Sequence, residues 1–114
     1  MKQDAYQMTL LFDYYGELLT EKQKTCFDLY YNQDFSLSEI ADELGITRQG
    51  VHDTLTRAEL LLSDMERKTG CIAREKLTAD VLRTMCAAAK SLLGQPEAAP
   101  LAQQILDAAA RIKE

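Results

Sequence analysis

The sequence predicts an all-α protein, a helix bundle that holds a helix-turn-helix and ends in two further helices. Three observations carry this expectation. Apolar residues recur at three- and four-residue steps along most of the 114 residues. Leu and Ala dominate while Val and Ile are sparse, a balance that favours helix over strand. Capping signatures stand where apolar runs begin, and Gly or Pro where they end. With 46% apolar and 27% charged residues the composition is that of an ordinary globular chain, not of a disordered acidic tail.

Each element has its own reason. From Asp4 to Tyr15, the residues Ala5, Met8, Leu11, Phe12 and Tyr15 share one face, and Gly16 is expected to stop the helix. Thr20-Glu21-Lys22-Gln23 is a T-x-x-Q capping box that opens a helix to about Asn32, with Phe27, Tyr30 and Tyr31 as its bulk and Cys26 beside them. Ser36-Leu37-Ser38-Glu39 is a second box, S-x-x-E, opening a short helix with Leu37, Ile40, Ala41 and Leu44 on its apolar side. Gly45 ends it. Thr47 then caps a long helix from Arg48 to about Lys68, striped by Val51, Leu55, Ala58, Leu62 and Met65. Thr69-Gly70 closes that helix. A fifth helix is carried by Leu77, Val81, Leu82, Met85, Ala88, Ala89 and Leu92, and Gly94-Gln95-Pro96 breaks it. Pro100 suits the first turn of a sixth, where Leu101, Ala102, Ile105, Ala108, Ala109 and Ile112 follow a near-heptad pattern. There is no internal repeat.

The stretch from Ser36 to Leu62 is the most informative. A short helix, a Gly turn, an apolar residue, a Thr cap and a longer helix is the layout of a helix-turn-helix. Ala41 is small where the second helix crosses. Gly45 takes the sharp turn at least backbone cost. Ile40, Leu44, Ile46, Val51 and Leu55 wedge the two helices together. The expected division is therefore residues 1–70 as the helix-turn-helix module. Residues 71–114 form an Ala-rich helical tail that packs on the module, forms a dimer interface, or does both.

Composition narrows the function. Cys26, Cys71 and Cys86 are odd in number, widely spaced and free of any C-x-x-C pair, so reduced thiols are expected. With His52 the only histidine, no metal site is expected, and no cofactor. No apolar run reaches membrane-spanning length and the first residues lack a signal-peptide core, so a cytoplasmic protein without membrane insertion is expected. No nucleophile–base pair or phosphate loop is present, so no enzyme is expected.

The stretch Leu37 to Val51 resembles the helix-turn-helix segments of sigma-factor region 4. Leu18-Leu19-Thr20-Glu21-Lys22-Gln23, Leu29-Tyr30-Tyr31, Ser36 to Ala41, Thr47 to Asp53 and Arg57-Ala58-Glu59 together look like the YlxM family of bacterial helix-turn-helix proteins. The resemblance covers roughly residues 5–70 and weakens beyond Gly70. It implies an all-helical fold with a region-4-like module. It also implies a regulatory part in the signal recognition particle pathway, inferred in that family from genes lying beside the particle's GTPase gene. The implied partners are the particle's protein or its RNA.

The competing expectation is a transcriptional regulator that reads duplex DNA with the long helix. Its outward positions are Arg48, Gln49, His52, Asp53, Thr56 and Arg57. Arg pairs with guanine and Gln with adenine, and Arg57 can take a phosphate. Candidate nucleic-acid-binding residues are therefore Arg48, Gln49, His52, Thr56 and Arg57. Asp53 opposes that role, because a carboxylate is repelled by phosphates. Charge also opposes it: the chain carries −5, and residues 36–70 hold four positive and seven negative side chains. Residues 1–35 hold three positives and six negatives, whereas residues 71–114 hold six and five. An acidic face of this kind can meet a basic protein. The tyrosine pairs 14–15 and 30–31 are either core residues or stacking platforms for bases. Leu60-Leu61-Leu62 cannot all be buried against one neighbour, and with the apolar tail they point to a homodimer.

Overall fold

The computed structural model describes residues 4–112, and all regular structure among them is helical. Six α-helices are present among these residues: α1 Ala5–Tyr15, α2 Glu21–Phe27, α3 Leu37–Leu44, α4 Arg48–Thr69, α5 Cys71–Leu92 and α6 Ala99–Ile112. The chain divides into two compact units, one ending at Ile72 and the other starting at Ala73.

The first unit is built by caps and large side chains. The Asp4 carboxylate accepts from the N–H groups of Tyr6 and Gln7 at the start of α1. Both predicted capping boxes close. Thr20 Oγ1 accepts from Gln23 N, and Gln23 Oε1 accepts from Thr20 N. Ser36 Oγ and the Glu39 carboxylate do the same at α3. Each satisfies two donors that a helix start leaves open.

Gly16 caps the end of α1 as the sequence predicts, but without the left-handed turn a C-terminal glycine commonly takes. Its φ is −57°, and the backbone runs on through a 3₁₀ turn, Gly16–Leu18. Its lack of a side chain has a packing reason instead, since a Cβ there would lie 3.2 Å from the Phe12 ring. The predicted second helix does reach Asn32, but its last turn is π-helical, Asp28–Asn32. The wider turn shifts the phase of the buried face. It brings Leu29 and Tyr31 inward after Cys26 and Phe27, and Leu29 is a core residue that helical periodicity did not pick out.

Two apolar clusters result, and α4 serves both. Its Val51 and Leu55 join Cys26, Leu29, Ile40 and Ala41, with Leu44 and Ile46 against them. Its Ala58 and Leu62 join Met8, Leu11, Tyr15, Leu19, Phe27 and Tyr31. Phe27 stacks on Phe12 with ring centroids 4.6 Å apart. Of the three consecutive leucines, Leu62 is buried, Leu61 packs at the cluster edge and Leu60 is exposed.

The end of α4 is tied to α1. Gly70 takes a left-handed φ of 63°, and α5 starts at once, at Cys71. The first N–H groups of α5 are met by side chains of α4: Ile72 N donates to Glu66 Oε1 at 3.0 Å and Cys71 N to Thr69 Oγ1 at 3.3 Å. The Tyr15 hydroxyl hydrogen-bonds the same Glu66 oxygen at 2.6 Å and Thr69 Oγ1 at 2.7 Å. Burial and the Glu66 carboxylate push the Tyr15 hydroxyl above the usual tyrosine range.

In the second unit the buried residues are small: Ala89 on α5, Ala102 and Ala109 on α6. Leu77, Val81, Met85 and Leu92 on α5, and Leu101, Ile105 and Ile112 on α6, are exposed. Pro100 falls in the first turn of α6 as predicted, where its missing N–H costs nothing. The three cysteines are free thiols, and burial raises the pKa of Cys26.

Candidate nucleic-acid interface

The helix-turn-helix is formed by α3, the turn at Gly45 and α4. Gly45 sits at φ 67°, a left-handed conformation that costs most residues about 1–2 kcal/mol. The Ile46 N–H donates to Ala41 O, which holds the turn close to α3. Thr47 caps α4 by accepting from Gly50 N at 2.9 Å.

Arg48, Gln49, His52, Thr56 and Arg57 are all exposed, on the N-terminal half of α4. From Arg48 to Arg57 the helix advances about 14 Å, enough to span a major groove about 12 Å wide. The structure therefore leaves all five candidates exposed along the first three turns of α4, with Arg48 and Arg57 about half a turn apart around the helix.

It also puts Asp53 among them. The Asp53 carboxylate accepts from Gln49 Nε2 at 3.0 Å. The His52 ring nitrogen Nδ1 lies 3.7 Å from the same oxygen. This pairing was open to sequence reasoning through the four-residue spacing of Gln49 and Asp53, which faces the two side chains on a helix.

The cations are unequally available. Arg67 and Lys68, at the far end of α4, both pair with Asp64, and their hydrogen bonds hold its carboxyl below the usual aspartate range. Among the described residues Arg48 and Arg57 have no ion-pair partner. On α3, Glu39, Asp42 and Glu43 are exposed. Of the tyrosines, Tyr15 and Tyr31 are buried, Tyr31 donating to the Glu59 carboxylate, so neither offers a face to a base. Among the described residues no group of three acidic, Cys or His side chains is placed to hold a metal. Among the described residues no helix is long and apolar enough to cross a membrane.

The family described as "Putative helix-turn-helix protein, YlxM / p13 like" matches residues 2–95. The chain belongs to this family. Membership extends beyond the 5–70 stretch that carries the resemblance in sequence and takes in α5. The family is one of helix-turn-helix proteins, not of enzymes. Similar relatives include a UPF0122 protein of Thermoanaerobacter sp. (strain X514), 51% identical over 76 residues, which are 67% of this chain and 65% of that one. A relative in Halalkalibacterium halodurans is 40% identical over 85 residues, 75% of this chain and 78% of the relative. One in Clostridium kluyveri is 45% identical over 74 residues, covering 65% and 67%. The match spans 65% of the Thermoanaerobacter relative's length.

Proposed function

We propose that this chain is a non-enzymatic regulatory or accessory protein of the cytoplasm, acting through its helix-turn-helix on the protein or RNA of the signal recognition particle. The observation that carries the choice of a non-DNA partner is the set of exposed carboxylates on the helix-turn-helix: Glu39, Asp42 and Glu43 on α3 and Asp53 on α4. A DNA reader grips phosphates with flanking Lys and Arg, and carboxylates there repel them. The same charges favour a basic protein surface and oppose RNA phosphates as they oppose those of DNA, so of the particle's two components they support the protein, and the RNA is named on the family resemblance alone. The pathway itself rests on the family resemblance.

A specific observation also supports duplex DNA as the ligand: Arg48 and Arg57 are exposed on the first half of α4 and carry no ion pair among the described residues. Fluorescence anisotropy separates the two readings. The protein is titrated against a mixed-sequence DNA duplex, the signal recognition RNA, and that RNA bound to its GTPase, each at low and moderate salt. Binding to the RNA or its complex alone supports the first reading, and binding to none of the targeting components overturns it. Duplex binding that falls steeply with salt and is lost in Arg48→Ala supports the second. A homodimer belongs to either reading, on the strength of the exposed apolar residues of α6, and sedimentation reads it directly.

A further inference from the structure

We propose that Asp53 sets the α4 surface against duplex DNA, so that the surface is a DNA reader held closed from within. The inference rests on the second reading above, in which α4 is the element offered to DNA. It is independent of any link to the signal recognition particle.

The argument starts from what Gln49 needs. An amide reads adenine with both ends, Oε1 accepting from N6 and Nε2 donating to N7. Here Nε2 already donates to Asp53 Oδ1 at 3.0 Å, which turns the donor end along α4's own surface. His52 Nδ1 lies 3.7 Å from that same oxygen. One of the five candidate contact residues is thus engaged by this carboxylate, and a second lies beside it.

The charge of Asp53 acts in the same direction. Its side chain is 59% exposed on the candidate face. Guanine N7 and O6, adenine N7 and thymine O4 are all acceptors, and a carboxylate opposes each of them; only the amino groups of cytosine and adenine suit it. The carboxylates of α3 differ in kind. Glu39 is engaged with the Ser36 N–H in its capping box. Asp42 and Glu43 lie on α3, the helix that crosses the backbone and does not enter the groove. They weaken attraction without occupying the readout. Asp53 alone sits on the groove-facing half of α4 and also holds a reading side chain. The rest of a reader is in place: the left-handed turn at Gly45, the Thr47 cap, and two cations, Arg48 and Arg57, with no ion pair among the described residues.

The test is anisotropy with a labelled mixed-sequence duplex at low and moderate salt, on the full chain and four variants. Asp53→Asn removes the charge and leaves an acceptor for Gln49. Asp53→Ala removes both. Asp13→Asn makes the same charge change on an exposed residue of α1. The fourth variant combines Asp53→Ala with Arg48→Ala. All substituted residues are exposed, and circular dichroism checks that each variant is helical. The expected result is roughly tenfold tighter duplex binding for Asp53→Asn at low salt, the scale of removing one like charge from an interface. Asp53→Ala gains at least as much, Asp13→Asn stays within about twofold of the parent, and Arg48→Ala takes the gain away. Three outcomes overturn the proposal: Asp53 variants that bind duplex no better than a parent that binds it, an equal gain from Asp13→Asn, or a gain that survives Arg48→Ala. In the first the DNA reading stands and only the closure fails. If no variant binds duplex at all, the DNA reading fails with it.

Discussion

The two units of this protein bury different things. The first closes on large side chains, with Phe27, Ile40, Val51 and Leu62 wholly inaccessible. The second buries only alanines among its described residues, while seven Leu, Ile, Val and Met side chains of α5 and α6 stay exposed. Large interlocking side chains specify one arrangement of helices, because a close-packed interior resists a change of even one methylene. Alanine specifies helix and little else, since it has the best helix propensity and almost nothing to interlock. The first unit is therefore where a surface can be held to a fixed geometry, and the candidate interface is found there.

The sharpest way to break that contrast is at Phe27, which contacts α1 through Phe12 and stacks toward Tyr31. Phe27→Ala is expected to cost about 3–5 kcal/mol, read as the shift in urea midpoint at unchanged slope. At the most buried site of the second unit, Ala102→Gly is expected to cost about 1 kcal/mol, a propensity effect only. Equal losses at the two sites would erase the distinction between the units.

Gly45 gives the next largest effect. A Cβ there meets nothing within 4 Å, so the backbone alone opposes substitution. Gly45→Ala is expected to destabilise the first unit by roughly 1–2 kcal/mol through its left-handed φ. Thermal unfolding checks this, and no loss would mean that the turn can relax to another conformation.

The clasp at the end of α4 yields a pH signature. The Tyr15 hydroxyl has its pKa raised by burial and by Glu66, so its contribution is fully present below the ordinary tyrosine value of about 10 and is lost as pH rises through the raised folded value. Cys26 is shifted upward too and adds to the same alkaline loss. Tyr15→Phe is expected to lower the unfolding midpoint at neutral pH. It should also make the decline above pH 10 shallower than in the parent, which separates Tyr15 from Cys26. Parallel alkaline limbs in the two proteins would show that the hydroxyl is not held by Glu66.

What could be read in advance follows from range. Capping boxes, the Thr47 cap, the Gly45 turn and the α4 stripe are set by residues within four positions of one another, and all are present as expected. The five candidate residues lie within ten positions of one helix, and all are exposed. The π turn that buries Leu29 was hidden, because a change of helical phase has no signature in periodicity. Gly16 ends α1 as expected, but the room a glycine leaves there for the Phe12 ring had no signature in the sequence. The Tyr15–Glu66 bond joins residues 51 positions apart and depends on how α1 lies along α4. In α5 the predicted stripe is a real face of the helix, yet Leu77, Val81, Met85 and Leu92 are exposed, since periodicity marks a face and says nothing of what covers it.

That last point sets the smallest expected effect. Leu101 on α6 is 63% exposed and Leu60 on α4 is 65% exposed, so the two are alike in isolation. Leu101→Ser and Leu60→Ser are each expected to change the stability of the dilute chain by less than about 0.5 kcal/mol, as surface substitutions do. They part company if a second copy covers α6. Burying a leucine against a partner is worth about 1.5–3 kcal/mol, so Leu101→Ser should then weaken self-association by tenfold or more while Leu60→Ser leaves it unchanged. Sedimentation equilibrium over a range of concentrations reads this directly. Equal behaviour of the two variants would remove α6 from the dimer and leave the exposed stripe of the second unit to a different partner.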